Sequence, residues 1–218
     1  MMIKMVGFDL DGTIGNTLPM CIRAFQQAVT PYTQRQLSEK EIIQTFGLNE
    51  EGMIKRIVTN DYWEKALNDF YVIYKKEHIS CPHPFDGIIE LIRELKVKSI
   101  STVLITGKGE KSCSITLKQF GMDTCFDKIE IGSPERNRKL EAIKDLLVKT
   151  KLRFEEMVYI GDTVSDIEAC NEVGVKCLSA AWGASFKTVR QLEMCNKGYV
   201  FYTIKSLRDY LMKNIYSD

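Results

Sequence analysis

The chain has 218 residues, a formal net charge of +1, 44% hydrophobic residues and 27% charged residues. That composition can bury a core and argues against disorder. The near-zero charge offers no basic field for nucleic acid or an anionic membrane, and no apolar run reaches membrane-spanning length. Seven cysteines, at 21, 81, 113, 125, 170, 177 and 195, are scattered and form no CxxC pair, which predicts free thiols and a cytoplasmic protein rather than a disulfide framework. Two acids at 9 and 11 interrupt the first apolar stretch, so it does not read as a signal peptide.

In chain order, the first apolar run, 3–8, reads as a buried strand and ends in Asp9-Leu10-Asp11-Gly12-Thr13. The next stretch has no clear strand and reads as helices near 19–29, 39–46, 50–58 and 62–77, with Ser38-Glu39-Lys40-Glu41 as a capping box. Pro82 and Pro84 mark the return to alternating strands and helices. Strands are expected at 101–105, 157–160 and 175–179, with weaker candidates at 126–131 and 199–202. Ile88, Leu91, Ile92 and Leu95 recur at helical spacing, as do Leu140, Ile143, Leu146 and Leu147. Gly121 stands where a helix C-cap is expected. This pattern predicts an α/β fold, a Rossmann-like doubly wound parallel sheet over 1–15 and 82–218, with an all-helical cap domain inserted at 16–81.

The acids carry the chemistry. Ionised carboxylates at the end of a buried strand are costly unless paired or bound to a metal. Asp9 and Asp11 are two apart, so on a strand they would share a face. They suit a nucleophile with an acid/base partner, or a hard cation such as Mg²⁺; an ordinary acidic strand exit is the competing account. Three further features fall at strand ends or beside them. Thr106-Gly107-Lys108 offers a hydroxyl, a close-approach N–H and a cation; Gly161-Asp162-Thr163-Val164-Ser165-Asp166 gives a second acidic pair; Lys139 begins an amphipathic helix between them. In a parallel sheet these points share one edge, and the inventory matches a phosphoryl group beside Mg²⁺.

In this order the motifs resemble those of haloacid dehalogenase (HAD) superfamily phosphohydrolases, of the phosphoglycolate phosphatase-like type with a helical cap after the first motif. The resemblance covers essentially the whole chain. It implies an Mg²⁺-dependent phosphoric monoester hydrolase acting on a small phosphorylated metabolite, with phosphoglycolate-like, nucleotide and sugar phosphates all open. Asp9 would attack phosphorus and become an aspartyl-phosphate. Asp11 would protonate the leaving oxygen and then activate water. The metal would be held by Asp9, the carbonyl of Asp11, and Asp162, with Asp166 orienting those ligands or binding through water. Thr106, Gly107 and Lys139 would bind phosphate. Asn16 departs from the Asp or Glu that many relatives carry there. A β-phosphoglucomutase-like phosphomutase and a non-catalytic phosphate-binding module are the alternative readings, and the chain is expected as a monomer or homodimer.

The remaining features are less specific. Lys108 reads slightly better as a solvated helix-start lysine than as a phosphate contact. Phe46-Gly47-Leu48 reads equally as a substrate-touching cap loop or as a helix-terminating turn. Arg23, Lys55 and Arg56 could meet an anionic tail or stay solvated, Trp182 could line the cleft or pack in the core, and His78 to His83 reads as a return hinge rather than a zinc site.

Overall fold

The structure is a computed structural model that describes residues 2–215; the expected outer limits of the sheet domain, 1 and 218, lie outside them. Six parallel strands form one sheet: β1 (Met5–Phe8), β2 (Ser101–Ile105), β3 (Lys128–Glu130), β4 (Met157–Gly161), β5 (Lys176–Ala180) and β6 (Val200–Phe201). Their order is β3-β2-β1-β4-β5-β6. The two weak strand candidates are the two edges, each with a single neighbour, and they are the shortest strands.

Between β1 and β2 come α1 (Leu18–Thr33), α2 (Glu39–Ile43), α3 (Glu50–Ile57) and α4 (Trp63–Glu77). The alternating part then supplies α5 (Ile88–Val97), α6 (Glu110–Phe120), α7 (Lys139–Thr150), α8 (Val164–Val173), α9 (Phe186–Cys195) and α10 (Ile204–Ile215). Side-chain alternation sorts the strands onto two faces. Val6, Phe8, Leu104, Val158, Ile160 and Leu178 pack with α5, α6 and α10. Met5, Val103, Ile105, Met157, Tyr159 and Cys177 pack with α7, α8 and α9. Both faces are therefore covered, as an all-parallel sheet requires. The fold is the α/β, Rossmann-like arrangement that the sequence pattern predicts.

The helical segment shares the first of these cores: Phe25, Ile54, Phe70 and Tyr74 belong to the same buried cluster as Phe8 and Leu104. Helix α1 runs four residues past its expected end, through Pro31. A proline in a last turn forfeits only one backbone bond, and the buried face of Met20, Ala24, Phe25, Ala28 and Val29 is already packed. Helix α2 stops early, at Ile43. Gly47, with φ at +102°, then bends the chain so that Phe46 and Leu48 bridge. The Ser38–Glu41 capping box and the Gly121 C-cap form as expected. No helix among the described residues is long and apolar enough to cross a membrane, and all seven cysteines are free thiols.

Candidate active site

Register decides which residues meet. Phe8 lies opposite Leu104 on β2 and Ile160 on β4, so Asp9, Thr106 and Asp162 leave the sheet along one edge. The sheet winds outwards from β1 in both directions, and a crevice opens at the carboxyl ends of the strands at such a switch point. Gly12 lets the chain turn there. Its φ is +80°, which other residues resist, and a Cβ on it would lie 2.1 Å from Asp162 Oδ2.

The carboxylates of Asp9, Asp162 and Asp166 are all buried, with ligand oxygens within 4.8 Å of one another. Lys139, at the start of α7, reaches into them. Its Nζ lies 3.1 Å from Asp9 Oδ1 and 2.6 Å from Asp166 Oδ1. Asp166 is held from behind by the N-cap of α8. Its Oδ2 accepts from the Thr163 N–H at 3.0 Å and the Thr163 hydroxyl at 2.6 Å, and its own N–H donates back to Thr163 Oγ1 at 3.2 Å. The Thr-x-x-Asp spacing is thus a capping box in which the acid is also part of the site.

Burial pushes the Asp9 carboxyl up to about 7, against the pull of Lys139, and the charges of Asp166 and Asp11 add to the rise. Burial, then the charges of Asp9 and Asp166, drive Asp162 up as well. Burial alone would disfavour the Lys139 ammonium, but Asp166 and Asp9 more than reverse this and hold it above its usual range. One buried lysine against three buried acids leaves the cluster short of positive charge. An all-oxygen donor set with that deficit, in a cradle that a Cβ at Gly12 would fill, fits a hard divalent cation.

The Asp11 carboxylate is not part of this cluster. It accepts from the Thr17 hydroxyl and pairs with Lys108 Nζ at 3.2 Å. Lys108 is therefore not the solvated lysine expected: it is 6% exposed, and helix α6 begins two residues after it. Its ammonium lies 4.6 Å from the centre of the Tyr74 ring and 3.8 Å from Cys21 Sγ. Burial works against its charge, but Asp11 leads the groups that hold it well above the ordinary lysine range.

A cavity of about 630 Å³ lies between these acids and the helical segment. Asp9, Asp11, Gly107, Lys108 and Lys139 line its floor, and Phe25, Phe46, Leu48, Met53 and Phe70 form an apolar wall. Thr106 is buried at the end of β2 and accepts the Lys108 N–H at 3.2 Å; it does not line the cavity. Phe46, Gly47 and Leu48 do, as does Arg56. Arg23 instead bonds Glu77 and Ser80, and Lys55 pairs with Glu51. Trp182 is a packing residue: its Nε1 donates to the Thr13 carbonyl at 3.1 Å. His78 is buried between α4 and α6, and the Asp9–Asp162–Asp166 group is the one metal-capable cluster among the described residues.

The haloacid dehalogenase-like hydrolase family profile matches residues 6–180. The chain belongs to that family. It is 25% identical to pyrophosphatase PpaX of Halalkalibacterium halodurans over 215 residues, 96% of this chain and 97% of that protein. It is 25% identical to phosphoglycolate phosphatase of Vibrio parahaemolyticus over 193 residues, 83% of this chain and 85% of that one. Among solved structures, CbbY of Rhodobacter sphaeroides in complex with phosphate matches with a TM-score of 0.77 at 17% identity, over 94% and 96% of the two chains. At that identity the likeness concerns the fold.

Sequence reasoning missed Thr17, the burial of Lys108, and Glu50 at the start of α3. Glu50 is 5% exposed, and its Oε2 accepts the Gly109 N–H at 2.8 Å. Two residues on, Gly52 packs so closely that a Cβ would lie 2.1 Å from the Pro134 carbonyl oxygen.

Proposed function

We propose that this chain is a Mg²⁺-dependent phosphatase that hydrolyses a small phosphate monoester through an aspartyl-phosphate on Asp9. The observation that carries this reading is the buried Asp9–Asp162–Asp166 cluster, served by Lys139, at the strand ends and facing a cavity walled by helices. Both relatives named above carry phosphatase names, which agrees with it. Residues 16–81 act as the cap and 1–15 with 82–218 as the catalytic core.

Asp9 and Asp162, with the Asp11 carbonyl, hold the cation. Both oxygens of Asp166 are already engaged, by Lys139 and by Thr163, so its part is to orient. The bound cation supplies the positive charge that keeps the buried acids ionised and draws charge from the phosphoryl oxygens. A carboxylate oxygen of Asp9 attacks phosphorus, and the bond to the leaving oxygen breaks as Asp11 gives that oxygen a proton. Water then attacks the same phosphorus, Asp11 takes its proton, and the Asp9–phosphorus bond breaks. Lys139 and the Gly107 N–H, which line the cavity, steady the phosphoryl oxygens. Asp9 lies in the buried cluster beside Lys139, whereas Asp11 stands outside it beside Lys108 and Thr17.

The test is phosphate release from a panel of esters with Mg²⁺, run beside Asp9→Asn. Release should fall by at least about a thousandfold in the variant, the order expected when a nucleophile is lost. Equal activity in both proteins would overturn the reading. Isomerised sugar phosphate with little free phosphate would replace it with the phosphomutase.

A further inference from the structure

The Asp11 carboxylate is anchored by one oxygen only. Oδ1 takes both donors, the Thr17 hydroxyl and Lys108 Nζ, the latter at 3.2 Å. Oδ2 has no hydrogen-bond partner among the described residues and is not shut off from solvent. The side chain keeps 20% of its surface exposed, and Asp11 lines the cavity. One oxygen is thus tied into the protein and the other is open.

Each anchor is drawn away from an ordinary role. Thr17 stands at the N-cap of α1, where a threonine side chain usually accepts a backbone N–H of the first turn. Here it makes no such bond, and its hydroxyl goes to Asp11. Lys108 is the kind of side chain that reaches water unless it is paired, yet it is buried. Its backbone is pinned on both sides: its N–H donates to Thr106 Oγ1 at 3.2 Å, and its carbonyl accepts the Gly132 N–H at 2.7 Å.

An ammonium has three donors. For Lys108 one meets Asp11 Oδ1, one points to Cys21 Sγ at 3.8 Å, and the face of the Tyr74 ring lies 4.6 Å away. These three neighbours are all protein, so its charge is committed to Asp11 rather than to a phosphoryl group. Lys139 is placed differently, between Asp9 and Asp166.

We propose that Lys108, together with Thr17, is a positioning residue for the proton transfers: the pair fixes Asp11 by Oδ1, so that Oδ2 is the atom that gives a proton to the leaving oxygen and takes one from water. This rests on the phosphatase reading above and adds which oxygen acts and what holds it. In the first step the bond from Asp9 to phosphorus forms, the bond from phosphorus to the leaving oxygen breaks, and its electron pair stays on that oxygen, which receives the Oδ2 proton. The Asp11 carboxylate left behind keeps Lys108 as its counter-charge. In the second step the water oxygen bonds phosphorus, its proton returns to Oδ2, and the electron pair of the breaking bond goes back to Asp9.

The experiment compares kcat/KM, with Mg²⁺, for the preferred alkyl ester of the panel above and for two donors whose leaving groups depart without a proton, acetyl phosphate and 4-nitrophenyl phosphate. Lys108→Met should lose about a hundredfold on the alkyl ester, the order for a misplaced acid, and far less on the other two. Thr17→Val keeps the branched shape and removes one anchor, and it should shift the three substrates in the same sense. A further measurement uses the alkyl ester alone: once Asp11→Asn has removed the acid, adding Lys108→Met should cost no further activity. Equal losses on all three substrates, or a full further loss on the Asp11→Asn background, would overturn the proposal and make Lys108 a phosphate-binding or folding residue. A Thr17→Val protein that treats all three as the wild type does would remove Thr17 from the anchor and overturn the proposal as stated. Absence of Asp9-dependent release from every ester would instead remove the phosphatase reading, and this proposal with it.

Discussion

Two buried lysines divide the acids of the site between them. Lys139 serves Asp9 and Asp166, whereas Lys108 serves Asp11 at 3.2 Å above the face of Tyr74. Losing one partner of such a pair leaves the other charge uncompensated, which is why pairs of this kind couple measurably. In a double-mutant cycle followed by urea unfolding, Lys108→Met and Asp11→Asn should each destabilise, and their coupling should be about 1–2 kcal/mol. A coupling indistinguishable from zero would mean that the two groups do not pair in solution. Asp9, Asp11 and Asp162 were legible as candidate site residues because each stands where an apolar strand run stops. Lys108 was not, because what buries it comes from elsewhere in the chain: Cys21 on α1 and Tyr74 on α4. Glu50 was hidden for the same reason, since an acid in the first turn of a helix ordinarily faces water.

Where α4 meets α6, one hydroxyl joins the helical segment to the sheet layer. Thr116 Oγ1 lies 2.8 Å from the Tyr74 hydroxyl and 3.0 Å from His78 Nε2. The other ring nitrogen, Nδ1, lies 3.2 Å from the Cys81 carbonyl, which only accepts, so Nδ1 carries the proton. Nε2 then accepts from Thr116, and Thr116 accepts from Tyr74. Burial pulls the imidazole below its ordinary value of 6.5, with the Cys81 carbonyl opposing. A histidine whose folded value is depressed stabilises the fold fully above its unfolded value, and that contribution is lost as pH falls below it. Measured with Mg²⁺ present, the stability that the wild type holds over His78→Gln should therefore shrink from about pH 6.5 downwards. Parallel slopes in a pH series of urea melts would show that His78 is not the group responsible. Elements such as α2 and α3 could be read from their caps, because Ser38 and Asn49 bond locally. The far end of α1 could not, because tertiary packing on α4 carries it through Pro31.

Across the whole molecule, the parallel sheet concentrates charge at one place. Strands β1 and β4 are neighbours only because the chain doubles back through the centre of the sheet, an order that periodicity along the chain does not contain. That adjacency sets Asp9 beside Asp162 and leaves three buried acids facing one lysine. Without a cation, the folded values of Asp9 and Asp162 lie above the ordinary 3.8, with Asp9 near 7. Acids shifted in this direction favour the fold fully below their unfolded value and lose that contribution as pH rises through the folded one. In a chelator, stability should therefore fall as pH climbs towards 8. Mg²⁺ at about a hundred times its Kd should restore about 2.7 kcal/mol, a rise in Tm of about 5–10 °C for a chain of this size. Asp162→Asn separates the metal's effect from that of the fold. Removing one of the crowded acids should make the variant more stable than the wild type in chelator, and deleting a ligand should abolish the response to Mg²⁺. A variant that gains as much Tm as the wild type would place the cation elsewhere. A variant less stable in chelator would mean that the three acids are not in conflict when the cation is absent.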